Sequence, residues 1–311
     1  MMENVSVITM ITLSGLNFPF WQRIIIFVLV LLCYLVILFN NLIIIVLIIT
    51  DRKLHKPMYV FLCNLCVNAL YGSVAFYPKL LADLLSSHVI SVVGCMLQGY
   101  TIHTSIACDF SILALIAYDR YVALCRPLIY ESFMTKQKVS LFIFVSWLLP
   151  TFCMVMNSMS LMSKKLCRSH IDRLYCVNLM ISKLTCTPAK AYSIISLVNI
   201  SFFFGIFWLI VYSYVHLIKM CIHSPQMWKK FRQTCTPHFI CLLIYTITEL
   251  VDLFYMRLGS GDLSVHLHNL MTMEFLIIPP IMNPLVYGLQ LTHIRNKIFR
   301  FFHSKKKLQH F

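Results

Sequence analysis

The sequence predicts an all-α membrane protein, a seven-transmembrane helix bundle followed by a short amphipathic eighth helix. Three observations lead there. The 311 residues are 59% hydrophobic and only 12% charged, against about 25% charged in soluble domains. The apolar residues gather into seven runs, each long enough to supply the roughly 20 helical residues that cross a bilayer core of about 30 Å. The lysines and arginines crowd into the gaps on one side of those runs.

The runs are 24–50, 57–86, 94–120, 139–163, 191–218, 234–257 and 267–291, and the first, fourth and fifth hold no Asp, Glu, Lys or Arg. Unbroken runs of this length satisfy their own backbone only as helices, whereas barrel strands are shorter and alternate. The chain divides into an N-terminal segment 1–23, a helical bundle 24–291 and a tail 292–311. Residues 1–20 lack the basic start, compact apolar stretch and small-residue cleavage site of a removable leader, so the first span is expected to act as its own insertion signal.

Basic residues set the orientation. Seventeen lie on the side of residues 51–56, eight lie on the other, and Lys79 falls inside the second span. The excess marks the cytoplasm and places the N-terminus outside. The net charge of +15 is therefore read as topology and as contact with membrane lipid, not as nucleic-acid binding. Asn4-Val5-Ser6 is a glycosylation sequon on the expected outer side. Asn199-Ile200-Ser201 matches the same pattern but lies within a span.

Of thirteen cysteines, Cys63 and Cys66 form the single CxxC pair, and their apolar surroundings argue for packing. Cys95 opens the third span and Arg120 closes it; the 25 residues between rise about 37 Å, one membrane crossing. Cys95 thus lies outside with Cys167, Cys176 and Cys186 of the loop before span five. Four cysteines in an oxidising compartment allow three pairings, and spacing alone does not choose among them.

Several segments then resemble one family. Leu54-His55-Lys56-Pro57-Met58-Tyr59 resembles the first inner loop of vertebrate odorant receptors, which are rhodopsin-like G-protein-coupled receptors. Ile116-Ala117-Tyr118-Asp119-Arg120-Tyr121-Val122-Ala123-Leu124-Cys125 resembles their signature at the end of span three. Ser213-Tyr214, Lys230 with Thr234-Cys235-Thr236-Pro237-His238, and Pro279-Pro280-Ile281-Met282-Asn283-Pro284-Leu285-Val286-Tyr287 resemble their motifs of spans five, six and seven. The runs Phe61–Cys66 and Phe76–Lys79 resemble fish members in particular.

The resemblance implies an odorant receptor of the plasma membrane, with a small-molecule ligand and a stimulatory heterotrimeric G protein as partners, no cofactor, and a receptor oligomer as a candidate assembly. It implies the pairs Cys95–Cys176 and Cys167–Cys186. It assigns activation and coupling to Asp119, Arg120, Tyr121, Tyr214, Lys230, Asn283, Pro284 and Tyr287. Asp119 would hold Arg120 at rest, since a partly desolvated charge needs a partner. Pro279, Pro280 and Pro284 would make span seven kinked and adjustable, with Asn283 serving the backbone acceptors they leave.

Acids inside the membrane are costly and face the bundle. Asp109 sits three turns from Arg120. Many related receptors hold sodium at this depth with an acid on span two, but the matching position here is Ala69. Asp109 is then either the transposed carboxylate of an allosteric sodium site or a protonated, hydrogen-bonded acid. The candidate ligand pocket takes Gly99, His103, Ile106 and Ala107 from span three, Phe202 and Phe203 from span five, and Tyr245 and Glu249 from span six. Asn41 is expected to bond neighbouring helices and Trp147 to pack. The tail, where Arg295, Lys297, Arg300 and Lys305–Lys307 alternate with Ile298, Phe299, Phe301 and Phe302, suits the inner leaflet. Alternatives are a receptor of this architecture for a non-odorant messenger and a small transporter, although the halves show no self-similarity and the span number is odd. No catalytic triad, metal-binding helix or phosphate loop marks an enzyme.

Overall fold

The computed structural model describes residues 8–14, 18–258 and 277–282. Five of its helices are long and apolar enough to cross a membrane: α1 (Phe20–Thr50), α2 (Pro57–Leu85), α3 (Val92–Cys125), α5 (Lys136–Met162) and α7 (Lys190–Cys221). They take up the first five apolar runs. A short helix α4 (Tyr130–Phe133) joins α3 to α5, and α6 (Asn178–Leu184) lies in the long loop before α7. Beyond α7 come α8 (Pro225–Thr234) and α9 (Thr236–Leu258), the latter covering the sixth run. Residues 277–282 are helical and belong to the seventh. The tail expected to form the amphipathic helix, 292–311, lies outside the described residues.

Local chemistry accounts for the helix starts. Pro57 stands at the first turn of α2, where its missing N–H costs nothing. Thr135 caps α5 by accepting from the Lys138 amide at 3.4 Å. At the far end of α2, Arg23 donates to the Leu84 carbonyl at 2.9 and 2.7 Å, serving a last-turn acceptor with a cation.

The all-α expectation needs one amendment. Strands β1 (Met10–Leu13), β2 (Val89–Ser91) and β3 (His170–Ile171) form a small sheet in the order β2-β1-β3. β1 runs antiparallel to β2, with Ile11 opposite Ile90, and parallel to β3, with Leu13 opposite Ile171. Ile11 and Leu13 are 0% and 4% exposed while Met10 is 50% exposed, the two-residue alternation of a half-buried strand. Four residues are too short to announce that pattern before their partners are known.

The sheet, α6 and two disulfides cap one end of the bundle. Cys95 is bonded to Cys176, and Cys167 to Cys186. Beneath the cap, Gln98 donates to the Ala75 carbonyl at 3.0 Å and accepts from the Cys176 amide at 3.1 Å, so one side chain ties α3 to α2 and to the loop. A core cluster around Leu62, Leu65, Leu113, Ile116, Tyr214 and Leu217 fills the opposite, Arg120 end. Elsewhere the helices turn apolar side chains outward, such as Leu29, Leu32, Val36 and Phe39 on α1, as a surface solvated by lipid requires.

Asn41 joins α1 to the seventh run. Its amide donates to the Pro280 carbonyl at 3.1 Å. Pro284, four residues on in the sequence, has no N–H to offer that carbonyl, and Asn41 gives it a donor from α1. Trp147 donates to Asn64 at 3.3 Å in addition to packing. Removing the donor with Asn41→Ala should cost about 1–2 kcal/mol and lower the melting temperature of the detergent-solubilised receptor by about 2–4 °C; an unchanged melting curve would show the bond to be dispensable.

Candidate signalling and ligand sites

At the Arg120 end, α3 presents Asp119 and Arg120. Asp119 is completely buried and the Arg120 side chain is 13% exposed. Arg120 Nε donates to Asp119 Oδ2 at 3.0 Å, and its Nη2 meets the same oxygen. The second carboxylate oxygen accepts from the Tyr130 hydroxyl at 2.7 Å. Burial, and then the Asp119 charge and hydrogen bond, push the Tyr130 phenol upward, so it stays a donor. Sequence reading missed Tyr130, because nothing in the α3–α4 connection shows that Pro127 and the short turn after it carry the tyrosine back over Asp119.

Tyr121 meets His216 of α7 edge to face, with ring centroids 5.8 Å apart. Tyr214 is 1% exposed and packs 5.1 Å from Phe239 of α9, so it already faces inward between α7 and α9. Beside this cluster Leu128 is 99% exposed and Ile129 43% exposed, an apolar pair presented at the same end as the buried ion pair.

Midway along α3, Asp109 is 7% exposed and its Oδ2 lies 3.3 Å from the Tyr245 hydroxyl, which also reaches the Ile106 carbonyl at 3.1 Å. The other oxygen, Asp109 Oδ1, and the amide oxygen Asn68 Oδ1 are buried without a hydrogen-bond partner among the described residues. Asn68 Nδ2 is committed to the Ser105 carbonyl at 2.7 Å. A cavity of about 30 Å³ opens beside Asp109, lined also by Ala69, Ser73, Ser105 and Tyr245. Ala69 and Asp109 thus line one cavity. Such a volume holds a water molecule or a bare cation but not an organic ligand, which needs about 300 Å³ or more.

The expected pocket residues scatter. Ile106 and Tyr245 line the cavity. His103 Nδ1 is 2.6 Å from the Gly99 carbonyl, a bond that calls for the Nδ1–H tautomer. Ala107 is 4% exposed, within the packed interior, and Phe203 packs against the core at the Arg120 end. Two placements differ from expectation. Gly99 does not border open space: a Cβ there would stand 2.9 Å from Asn178 Oδ1 and 3.2 Å from the Cys176 carbonyl, so the glycine admits the capping loop. Phe202 is 43% exposed, turned out of the bundle rather than toward α3.

A family model described as olfactory receptor matches residues 30–305. The chain belongs to the olfactory receptor family. It is 30% identical over 314 residues to olfactory receptor 1 of Rattus norvegicus, covering 99% of this chain and 98% of the relative. Olfactory receptor 5AR1 of Mus musculus is 32% identical over 295 residues, with 93% and 94% covered. Olfactory receptor 52D1 of Homo sapiens is 30% identical over 279 residues, with 88% and 87% covered.

As a member of that family this receptor is a multi-pass plasma-membrane protein with a seven-helix bundle, an odorant receptor working through a G protein, and not an enzyme. The match favours this reading over the transporter. Among its motif residues, Asn283, Pro284 and Tyr287 lie outside the described residues, as does the sequon at Asn4. Lys230 and Glu249 belong to α8 and α9, but their side chains are outside the description. Among the described residues no group of three or more His, Cys, Asp or Glu gathers as a metal cluster.

Proposed function

We propose that this receptor binds a small organic odorant in the disulfide-bearing half of the bundle and, through the inner end of α3, activates a stimulatory olfactory-type G protein that raises cAMP. The observation that carries the proposal is the buried Asp119–Arg120 pair latched by Tyr130 next to the exposed Leu128. A charge pair out of water is stable while its hydrogen bonds hold, and releasing the arginine exposes a cation where a partner can meet it. Leu128 and Ile129 offer that partner an apolar contact. Tyr121, Tyr214, Lys230, Asn283, Pro284 and Tyr287 are the further residues to which this reading gives activation and coupling.

In this reading the N-terminus and the disulfide cap are extracellular, Asn4 is glycosylated, and the C-terminal tail lies on the inner leaflet. The odorant sits above the Asp109 cavity, against His103, Ile106, Tyr245 and Glu249. A receptor oligomer is a further candidate assembly. The test is a cAMP assay in cells carrying an olfactory G protein, screened against amino acids, bile acids, steroids, prostaglandins and volatile compounds. A ligand-driven flux that persists without any G protein would refute the proposal.

The reading extends to sodium. The oxygens of Asp109 and Asn68 that have no hydrogen-bond partner among the described residues, with the hydroxyls of Ser73 and Ser105, are hard oxygen donors of the kind that alkali and alkaline-earth cations take. Bound there, sodium would supply a positive charge against Asp109 and hold α2 to α3 in the resting state. Replacing sodium by an organic cation should then raise odorant potency in the wild type and leave Asp109→Asn unaffected. Equal potency with and without sodium in both proteins would leave Asp109 as a protonated acid bonded to Tyr245.

A further inference from the structure

A second and larger cavity has no part in the signalling reading. Between α2 and α3 at the disulfide-bearing end lies a groove of about 570 Å³, within the range of small-molecule sites. It shares no lining residue with the Asp109 cavity. Val74 and Leu97 on its rim are 58% and 62% exposed, so it opens on the lipid-facing surface.

The sequence explains why the helices part here. Toward the Arg120 end they touch, and a Cβ on Gly72 would stand 2.5 Å from Ser105 Oγ. Pro78 lies inside α2 just beyond. It withholds an N–H from the Val74 carbonyl, the kind of loss that lets a helix bend. Ala75 and Gly94 are small residues in the wall of the gap that results.

The polar chemistry of the wall is one-sided. Gln98 is spent at both ends, on the Ala75 carbonyl and the Cys176 amide. The Thr101 hydroxyl is spent on the Leu97 carbonyl at 2.9 Å, and the Tyr71 hydroxyl is hydrogen-bonded to Thr101. Lys79 remains. Its side chain is 21% exposed and its ammonium is paired with Asp83, which is not part of the groove wall. An ammonium has three donors, and Asp83 engages one of them. The groove therefore offers a cation with hydrogens to give, and below it an apolar wall of Leu70, Val74 and Leu97. Lys79 stands six residues, about 9 Å, from the end of α2, and Tyr71 a further 12 Å or so along it. The head of a ligand would lie near the membrane interface and its tail would point toward the midplane, the way a lipid chain already runs.

We propose that this groove binds a fatty acid from the surrounding leaflet, its carboxylate on Lys79 and its chain between α2 and α3. The site is independent of the odorant and of the G protein. It is tested on the full-length receptor in phosphatidylcholine nanodiscs, with dodecanoic acid carrying a terminal diazirine and crosslinks mapped by mass spectrometry. Saturable labelling of the 70–75 and 97–101 stretches is expected, displaced by excess dodecanoic acid and not by dodecanol. Lys79→Met should weaken labelling about tenfold, the scale of one charge-assisted hydrogen bond, and Lys79→Arg should retain it. Ala75→Phe fills the groove, leaves the Lys79–Asp83 pair in place and should abolish labelling, which decides the matter even where Lys79→Met fails to fold. Labelling that dodecanol displaces equally well, or that survives Ala75→Phe, would overturn the proposal.

Discussion

Arg120→Ala is expected to abolish odorant-evoked cAMP while receptor continues to reach the cell surface. The guanidinium is the only group offered to Asp119 Oδ2 among the described hydrogen bonds, so the loss removes both the resting latch and the cation proposed to meet the G protein. The companion change separates those roles. Tyr130→Phe deletes the 2.7 Å bond to the other carboxylate oxygen and leaves Arg120 in place. A hydrogen bond to a charged group is worth about 1.5–3 kcal/mol, so the resting–active balance should move by at least about tenfold toward the active form. Basal cAMP, normalised to surface receptor, should rise. A signalling-competent Arg120→Ala, or a Tyr130→Phe with wild-type basal activity, would remove the latch from the mechanism.

Loss of the Cys95–Cys176 bond carries the largest expected effect on stability. It closes 81 residues, worth up to about 4.5 kcal/mol of loop entropy, whereas Cys167–Cys186 closes 19, worth up to about 3.2 kcal/mol. These are ceilings, since the membrane already confines the unfolded chain. They remain large beside a typical folding free energy of about 5–15 kcal/mol. Cys176→Ser should also free the loop that Gln98 and Gly99 hold against α3. Surface receptor at 37 °C should therefore fall steeply for Cys176→Ser and less for Cys186→Ser. Equal surface levels for both variants and wild type would show that the sheet and α6 hold the cap unaided.

Much of this architecture is written in local chemistry. Span length, helix starts at Pro57 and Thr135, and the placement of cysteines at one end and Arg120 at the other depend on runs of apolar residues and a fixed rise per residue. These are properties a segment carries by itself. The depth of Asp109, three turns from Arg120, was legible for the same reason, because helical rise is counted along a single chain.

Beyond the two disulfides that the family resemblance implied, contacts between segments were not legible. The β1–β2–β3 sheet joins residues some 80 and 160 positions apart, and four alternating residues become a strand only when the partners supply hydrogen bonds. Gly99 was read as pocket wall and proved to be the place where a loop must come close. Phe202 and Phe203 are neighbours in sequence but lie on opposite sides of the question, one turned outward and one packed inward.

By itself the sequence determined that the chain crosses lipid, where its helices run, and which charged residues stand at which depth, because hydrophobic length and helical rise act within one segment. The tertiary structure alone decided that Tyr130 closes over Asp119, that Asn41 serves the Pro280 carbonyl, that a sheet seals the cysteine-bearing end, and that α2 and α3 part above Gly72. Each of these depends on where a second segment comes to rest, and that is set by packing over the whole bundle.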